Sequence, residues 1–194
     1  MPRRPREIHP DGIYHVATRG SDQRPLFLFD RDREEFLGRL AQAIARYELV
    51  CLAYCLMGNH YHLVVQTLDG RLSRALQELH TGYSTSFNRF HGRRAHLFRN
   101  RFLSREIDSD AYLLTVCRYV ALNPVRAGMC GTPSDWPWSS YRASAKLATA
   151  PSFLSEARLR EAFGGRRNWR ERYREFVETS EIMDSAPVEE MLHF

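Results

Sequence analysis

The sequence predicts an α+β fold: a mostly antiparallel sheet of four to five strands with helices on one face, followed by a helical C-terminal extension. Three observations carry this. Segments such as IYHVATRG and HYHLVVQT alternate apolar and polar residues at the two-residue period of a half-buried strand. Other segments repeat their apolar residues at three- and four-residue spacing, the period of an amphipathic helix. Gly58-Asn59 joins two strand-like runs by a turn so short that they must pair antiparallel.

Each element follows in order. Ile13 to Gly20 reads as the first strand, and RPLFLF as a short apolar connection. Asp30 opens a helix whose Phe36, Leu40, Ala43, Ile44 and Tyr47 share a face. LVCLAYCLM and HYHLVVQT form the hairpin about Gly58-Asn59. In the first of these strands Cys51 and Cys55, four apart, are expected on one face. A second helix is expected over Leu72 to Phe90, with Leu72, Leu76, Leu79, Tyr83 and Phe87 inward. His91-Gly92-Arg93-Arg94 reads as a loop and LFRNRFLSREI as the fourth strand. Asp108 or Ser109 caps a third helix, AYLLTVCRYVALN, which should stop at Pro124. PVRAGMCGTPSDWPWSSYRA reads as an irregular loop packed on the body, and the chain from about Pro151 as two or three short helices. The expected division is a main unit over residues 1–150 and an extension over residues 151–194. The sheet order is of the ferredoxin or RRM type, with its second face left open for a ligand.

Composition narrows the function. Hydrophobic content of 43% and charged content of 26% over 194 residues are those of an ordinary globular chain. The longest apolar run, Leu49 to Met57, is too short to cross a bilayer. The basic N-terminus has no apolar stretch behind it, which argues against a secretory signal and for a cytoplasmic protein. The four cysteines form no CxxC pair, so a structural zinc knuckle is not expected. A net charge of +5 favours nucleic acid only weakly, but its distribution says more. No acidic residue occurs from Leu79 to Arg105, while Arg89, Arg93, Arg94, Arg99, Arg101 and Arg105 crowd its second half among Phe87, Phe90, Phe98 and Phe102. Arginines interleaved with aromatics can hold phosphates and stack unpaired bases. The stretch from Glu171 is acidic instead.

Two further features carry chemistry. In HYHLVV, alternation puts His60 and His62 on one face and Tyr61 on the other, so two imidazoles can converge on one metal ion. Incidental polar histidines are the competing explanation. On the third helix Tyr112, Val116, Tyr119 and Asn123 share a face beside the apolar stripe Leu113, Val116, Cys117 and Val120. A phenol and an amide one turn apart can offer a nucleophile and an oxygen ligand; simple packing and a helix C-cap are the alternative.

The strings ATRGSDQRPLF, CLMGNHYHLVVQT, LFRNRFLSREI, CRYVALNPVRAG and DWPWSSYRA occur in this order. Together they closely resemble the REP-associated tyrosine transposases of the IS200-like, single-tyrosine His-hydrophobic-His group, over about Ile13 to Ala143. The resemblance implies that residues 1–150 are the catalytic domain. It implies His60 and His62 as metal ligands and Tyr119 as the nucleophile. Asn123 stands where relatives place an amide-bearing third ligand, often Gln. The implied cofactor is a divalent ion, Mg²⁺ or Mn²⁺. The implied partner is single-stranded DNA with palindromic hairpins, acted on by a monomer or homodimer and, when bound, in the nucleoid. The implied reaction cleaves and rejoins DNA through a covalent link between Tyr119 and the 5′ side of the break. Arg93, Arg94, Arg99 and Arg101 are the candidate DNA contacts, with Arg19 and Arg126 as further ones. A rolling-circle initiator or relaxase uses similar chemistry, and a non-catalytic nucleic-acid-binding relative would share the sheet. The NPVxAG and WSSY segments argue for the transposase branch.

Overall fold

A computed structural model describes residues 7–179. The basic N-terminal residues 1–6 and the acidic Glu181, Asp184, Glu189 and Glu190 lie outside the described residues. The chain runs β1 (Ile13–Arg19), α1 (Asp30–Arg46), β2 (Leu49–Leu56), β3 (His60–Thr67), α2 (Leu72–Phe90), β4 (Leu103–Ile107) and α3 (Asp110–Arg126). Short helices α4 (Tyr141–Ser144), α5 (Ala157–Ala162) and α6 (Trp169–Glu178) follow. The sheet order is β2-β3-β1-β4 and every neighbouring pair is antiparallel. This is the split βαβ arrangement expected for a ferredoxin-like α+β fold.

The alternation in β3 divides the molecule. Tyr61, Leu63 and Val65 face α1 and α2, where they join Phe36, Leu40, Leu76, Leu79, Tyr83 and Phe87 in one core. The helical periods place these residues on the inner stripes of α1 and α2, and α2 spans the residues expected for it. The start of α1 is fixed by Asp32, whose carboxylate accepts the backbone N–H groups of Leu28 and Phe29, both at 2.9 Å. Ser109 caps α3 by accepting the N–H of Tyr112.

The second face is not open. Leu113, Val116, Cys117 and Val120 of α3 pack against Ile13, Leu52, Ala53, Cys55 and Val64 in a second core. Helices therefore cover both faces, because α3 carries an apolar stripe that has to be buried somewhere. Helices α5 and α6 pack on α3 in turn, with Leu159, Trp169, Tyr173 and Val177 buried.

Four local expectations are corrected. Cys51 pairs with Val65 and Cys55 with His62, so the two thiols lie on opposite faces. A β-bulge between Cys51 and Ala53 inserts one residue and reverses the phase. The fourth strand is only Leu103–Ile107; the residues before it form a loop that meets the sheet through an isolated bridge from Phe98 to Gly20 and buries Leu97 and Phe102 in the core. A Cβ at Gly20 would run into the Arg24 carbonyl oxygen, so only glycine permits this turn. Helix α3 does not stop before Pro124 but runs to Arg126, and Asn123 lies inside it. Pro124 lacks the N–H that would bond the Val120 carbonyl, and only Val125 and Arg126 follow it in the helix. The WPWSSY segment is more ordered than a loop. The Leu56 N–H donates to the Trp138 carbonyl, the Trp136 indole donates to the Leu56 carbonyl, and Ser139 bridges to Cys55, which together cover the β2 edge.

Candidate active site

The site is built from β1, β3 and the last turns of α3. His60 and His62 alternate with Tyr61 on β3 and so share the α3 face; their rings lie 5.1 Å apart. Helix α3 brings Tyr119 and Asn123 over them, since residues four apart on a helix share a face. The Tyr119 ring meets the His62 ring edge-on at 5.6 Å. The Asn123 amide oxygen lies 3.3 Å from His60 Nε2. On its other side His60 Nδ1 lies 2.7 Å from the Asn59 amide oxygen.

A third histidine belongs to the group. His15 of β1 is stacked against His62, with His15 Nε2 3.1 Å from His62 Nδ1, and its ring lies 6.2 Å from that of Tyr119. The alternation in IYHVATRG puts His15 on one face, but only the β1–β3 pairing brings it beside His62.

The site is buried. His62 is fully inaccessible, and Tyr119 and Asn123 are 6% and 8% exposed, while His60 is half-buried at the rim. Burial lowers the pKa of His15 to about 4, with Arg105 adding to the effect. Burial also lowers His60, partly opposed by its contact with Asn123, and drives His62 well below the ordinary value. All three imidazoles are therefore neutral at neutral pH, with lone pairs to offer. His62 Nε2 is buried and has no hydrogen-bond partner. Such an atom is destabilising unless something binds it. His60 and His62 with the Asn123 oxygen thus fit a cation held by two nitrogens and one oxygen, its remaining positions left to water or substrate. Among the described residues no cluster of three or more His, Cys, Asp or Glu suits a metal by itself, so an amide oxygen would have to complete this set.

Cationic side chains border the group. The Arg126 guanidinium lies over the Tyr119 ring at 5.2 Å. Arg19 pairs directly with His60 across β1 and β3. The Arg99 N–H donates to the Arg19 carbonyl, tying the arginine-rich loop to this end of the sheet. Arg99 and Arg101 are exposed on that loop, whereas Arg93, over the Phe87 ring, and exposed Arg94 follow the end of α2. The six arginines singled out in the sequence therefore come from four stretches: the end of β1, the residues after α2, the loop before β4 and the end of α3.

Known proteins bear on this arrangement. The sequence model of the family described as "Transposase IS200 like" matches residues 10–123, which span β1 to Asn123. A Haemophilus influenzae protein named as a REP-associated tyrosine transposase is 25% identical over 157 residues, covering 75% of this chain and 89% of the relative. A solved structure of a REP-associated tyrosine transposase bound to a REP hairpin superposes with a TM-score of 0.64 at 17% identity, covering 80% of this chain and 92% of that one. Among the described residues no helix is long and apolar enough to cross a membrane. With more than half of its length matched, this chain belongs to the IS200-like transposase family.

Proposed function

We propose that this transposase cleaves and rejoins single-stranded, hairpin-containing DNA through a covalent bond to Tyr119, assisted by a divalent ion, Mg²⁺ or Mn²⁺. The observation that carries the reading is convergence: a strand and a helix distant in sequence bring two imidazoles, an amide oxygen and a phenol together. His60, His62 and Asn123 would hold the ion, and His15 would fix the orientation of His62 through the contact at its Nδ1. When bound, such an ion polarises a phosphoryl oxygen.

The chain's own groups do the rest. Tyr119 oxygen attacks the scissile phosphorus in line, the phosphorus–O3′ bond breaks, and the phenolic proton is lost. The DNA 5′ side stays on the protein as a phosphodiester, and the leaving O3′ takes up a proton. Because one phosphodiester replaces another, a 3′-hydroxyl can later reverse the step and join a new strand without ATP. Arg126 over the Tyr119 ring and Arg19 beside His60 would offset the phosphate charge. Arg93, Arg94, Arg99 and Arg101 would hold the flanking backbone. REP-type hairpins are the substrate class suggested by the relatives' names.

The test incubates labelled hairpin oligonucleotides carrying single-stranded flanks with the protein and Mn²⁺ or Mg²⁺, then runs a denaturing gel. A protein-linked band that needs the ion and vanishes in Tyr119→Phe is expected. An adduct that persists in Tyr119→Phe would place the nucleophile elsewhere and end the assignment.

A further inference from the structure

A cavity of about 690 Å³ opens on the other face of the sheet, between α2 and the loop that precedes β4. Its wall contains Phe98 stacked on His80, with ring centroids 4.0 Å apart. Gln77 and Thr81, exposed one turn apart on α2, contribute an amide and a hydroxyl; Asn100 and Arg101 contribute from the loop. Among the described residues no acidic one lines it. By contrast, the cavity of about 500 Å³ outside α1 and α2 includes Asp32 and Glu35, already paired with His91 and Arg39.

From this we infer that the α2 cavity is a binding subsite for one unpaired nucleotide of the DNA strand, its base received beside Phe98 and its phosphate beside Arg101. The inference rests on the transposase reading above and adds a place where sequence could be read. Its size suits a single nucleotide, since ligand pockets of roughly 300–1,000 Å³ enclose molecules of that order. An aromatic wall stacks any base, and amide and hydroxyl groups can hydrogen-bond its edge. Burial lowers His80 to a pKa of about 4, so Arg101 supplies the lining's positive charge at neutral pH. Position supports the same occupant. The Ser21 N–H donates to the Leu97 carbonyl and Phe98 bridges Gly20, so the cavity's loop is anchored where β1 ends beside His60. A strand leaving the cavity needs only to round this end of the sheet to reach the imidazole face.

The experiment walks a single abasic residue through the flanks of the hairpin oligonucleotide and measures binding by fluorescence anisotropy. One flank position should lose about tenfold in affinity when its base is removed, the size of one base–aromatic stack. Thr81→Trp fills the cavity from an exposed helical position. It should weaken binding of the intact strand by a similar factor and leave that position insensitive to base removal. Gln77→Ala, which only shortens an exposed side chain, should weaken it by a smaller factor. A flat abasic scan overturns the proposal, as does a sensitive position equally sensitive in Thr81→Trp. Adduct formation on the same strands reads the parent assignment separately. Adduct with a flat scan removes the subsite and keeps the chemistry; a cavity-dependent base effect without adduct on any strand does the reverse.

Discussion

The two faces of one sheet are built to different ends from alternate residues of the same strand. Toward α1 and α2, β3 presents Tyr61, Leu63 and Val65 to a core of aromatic and aliphatic side chains. The two deeply buried phenols there have partners: Tyr61 lies 2.6 Å from His80 Nε2, and the Tyr83 hydroxyl donates to the Leu26 carbonyl at 2.6 Å. Toward α3, the same strand presents His60 and His62 beneath a tyrosine and an asparagine. There His62 Nε2 is buried and unpartnered, as is one terminal nitrogen of Arg126. Buried polar groups without partners are destabilising by about 1–3 kcal/mol each. A bound ion, an ordered water or a catalytic role can account for such a group. The first face is chiefly packed core, although Thr67 Oγ1 on it is also buried without a partner; the second carries the imidazoles to which the proposed function assigns an ion.

The largest effect that would break this contrast is on chemistry. Tyr119→Phe should reduce covalent adduct to background while leaving the urea unfolding curve close to that of the parent, since only a hydroxyl is removed. Strong destabilisation would make Tyr119 a core residue like Tyr61 and dissolve the distinction between the faces. A second test concerns the waiting group itself. Mg²⁺ or Mn²⁺ at a hundred times its dissociation constant should stabilise the protein by about 2.7 kcal/mol, read as a rise in Tm. His60→Ala, at the half-buried rim, should abolish that rise. An equal rise in the variant would place the ion somewhere other than this face.

What was legible in the sequence follows the same division. The α2 span and the inward faces of α1 and α2 could be read because periodic apolar residues state their own phase. His60 and His62 could be paired because alternation along one strand is local. His15 could not, because its place depends on which strand lies beside β3. The continuous apolar run of β2 carries no phase, so the bulge that separates Cys51 from Cys55 left no mark. The alternating aromatics before Leu103 imitated a strand, although they serve to anchor a loop through Phe98. The coverage of the second face was missed because the stripe on α3 shows that something is buried without showing against which side of the sheet. Residues that face one another across the chain are therefore the part that needed three dimensions.

The smaller effects test the structural face. Tyr61→Phe strands His80 Nε2 and should lower stability by about 1–3 kcal/mol in urea unfolding without changing adduct yield. Lost adduct with retained stability would mean that the Tyr61–His80 contact acts beyond the fold, through the α2 cavity that His80 lines. The mildest perturbation is a proton. His80 is half-buried, and desolvation lowers its folded-state pKa to about 4, below the ordinary 6.5 of an unfolded histidine. Between these values the unfolded chain binds the proton and the folded one does not, so stability falls as pH falls through that window. From about pH 7.5 to about pH 5.5 the loss from this one group amounts to about 1 kcal/mol. Other titrating groups contribute to the total, so the informative quantity is the difference from His80→Gln, which keeps a polar partner for Tyr61 but does not ionise. That variant should lose less stability on acidification than the parent by about 1 kcal/mol. Parallel curves would mean that the His80 imidazole takes up its proton without leaving the core, and the structural face would then be wetter than its burial implies.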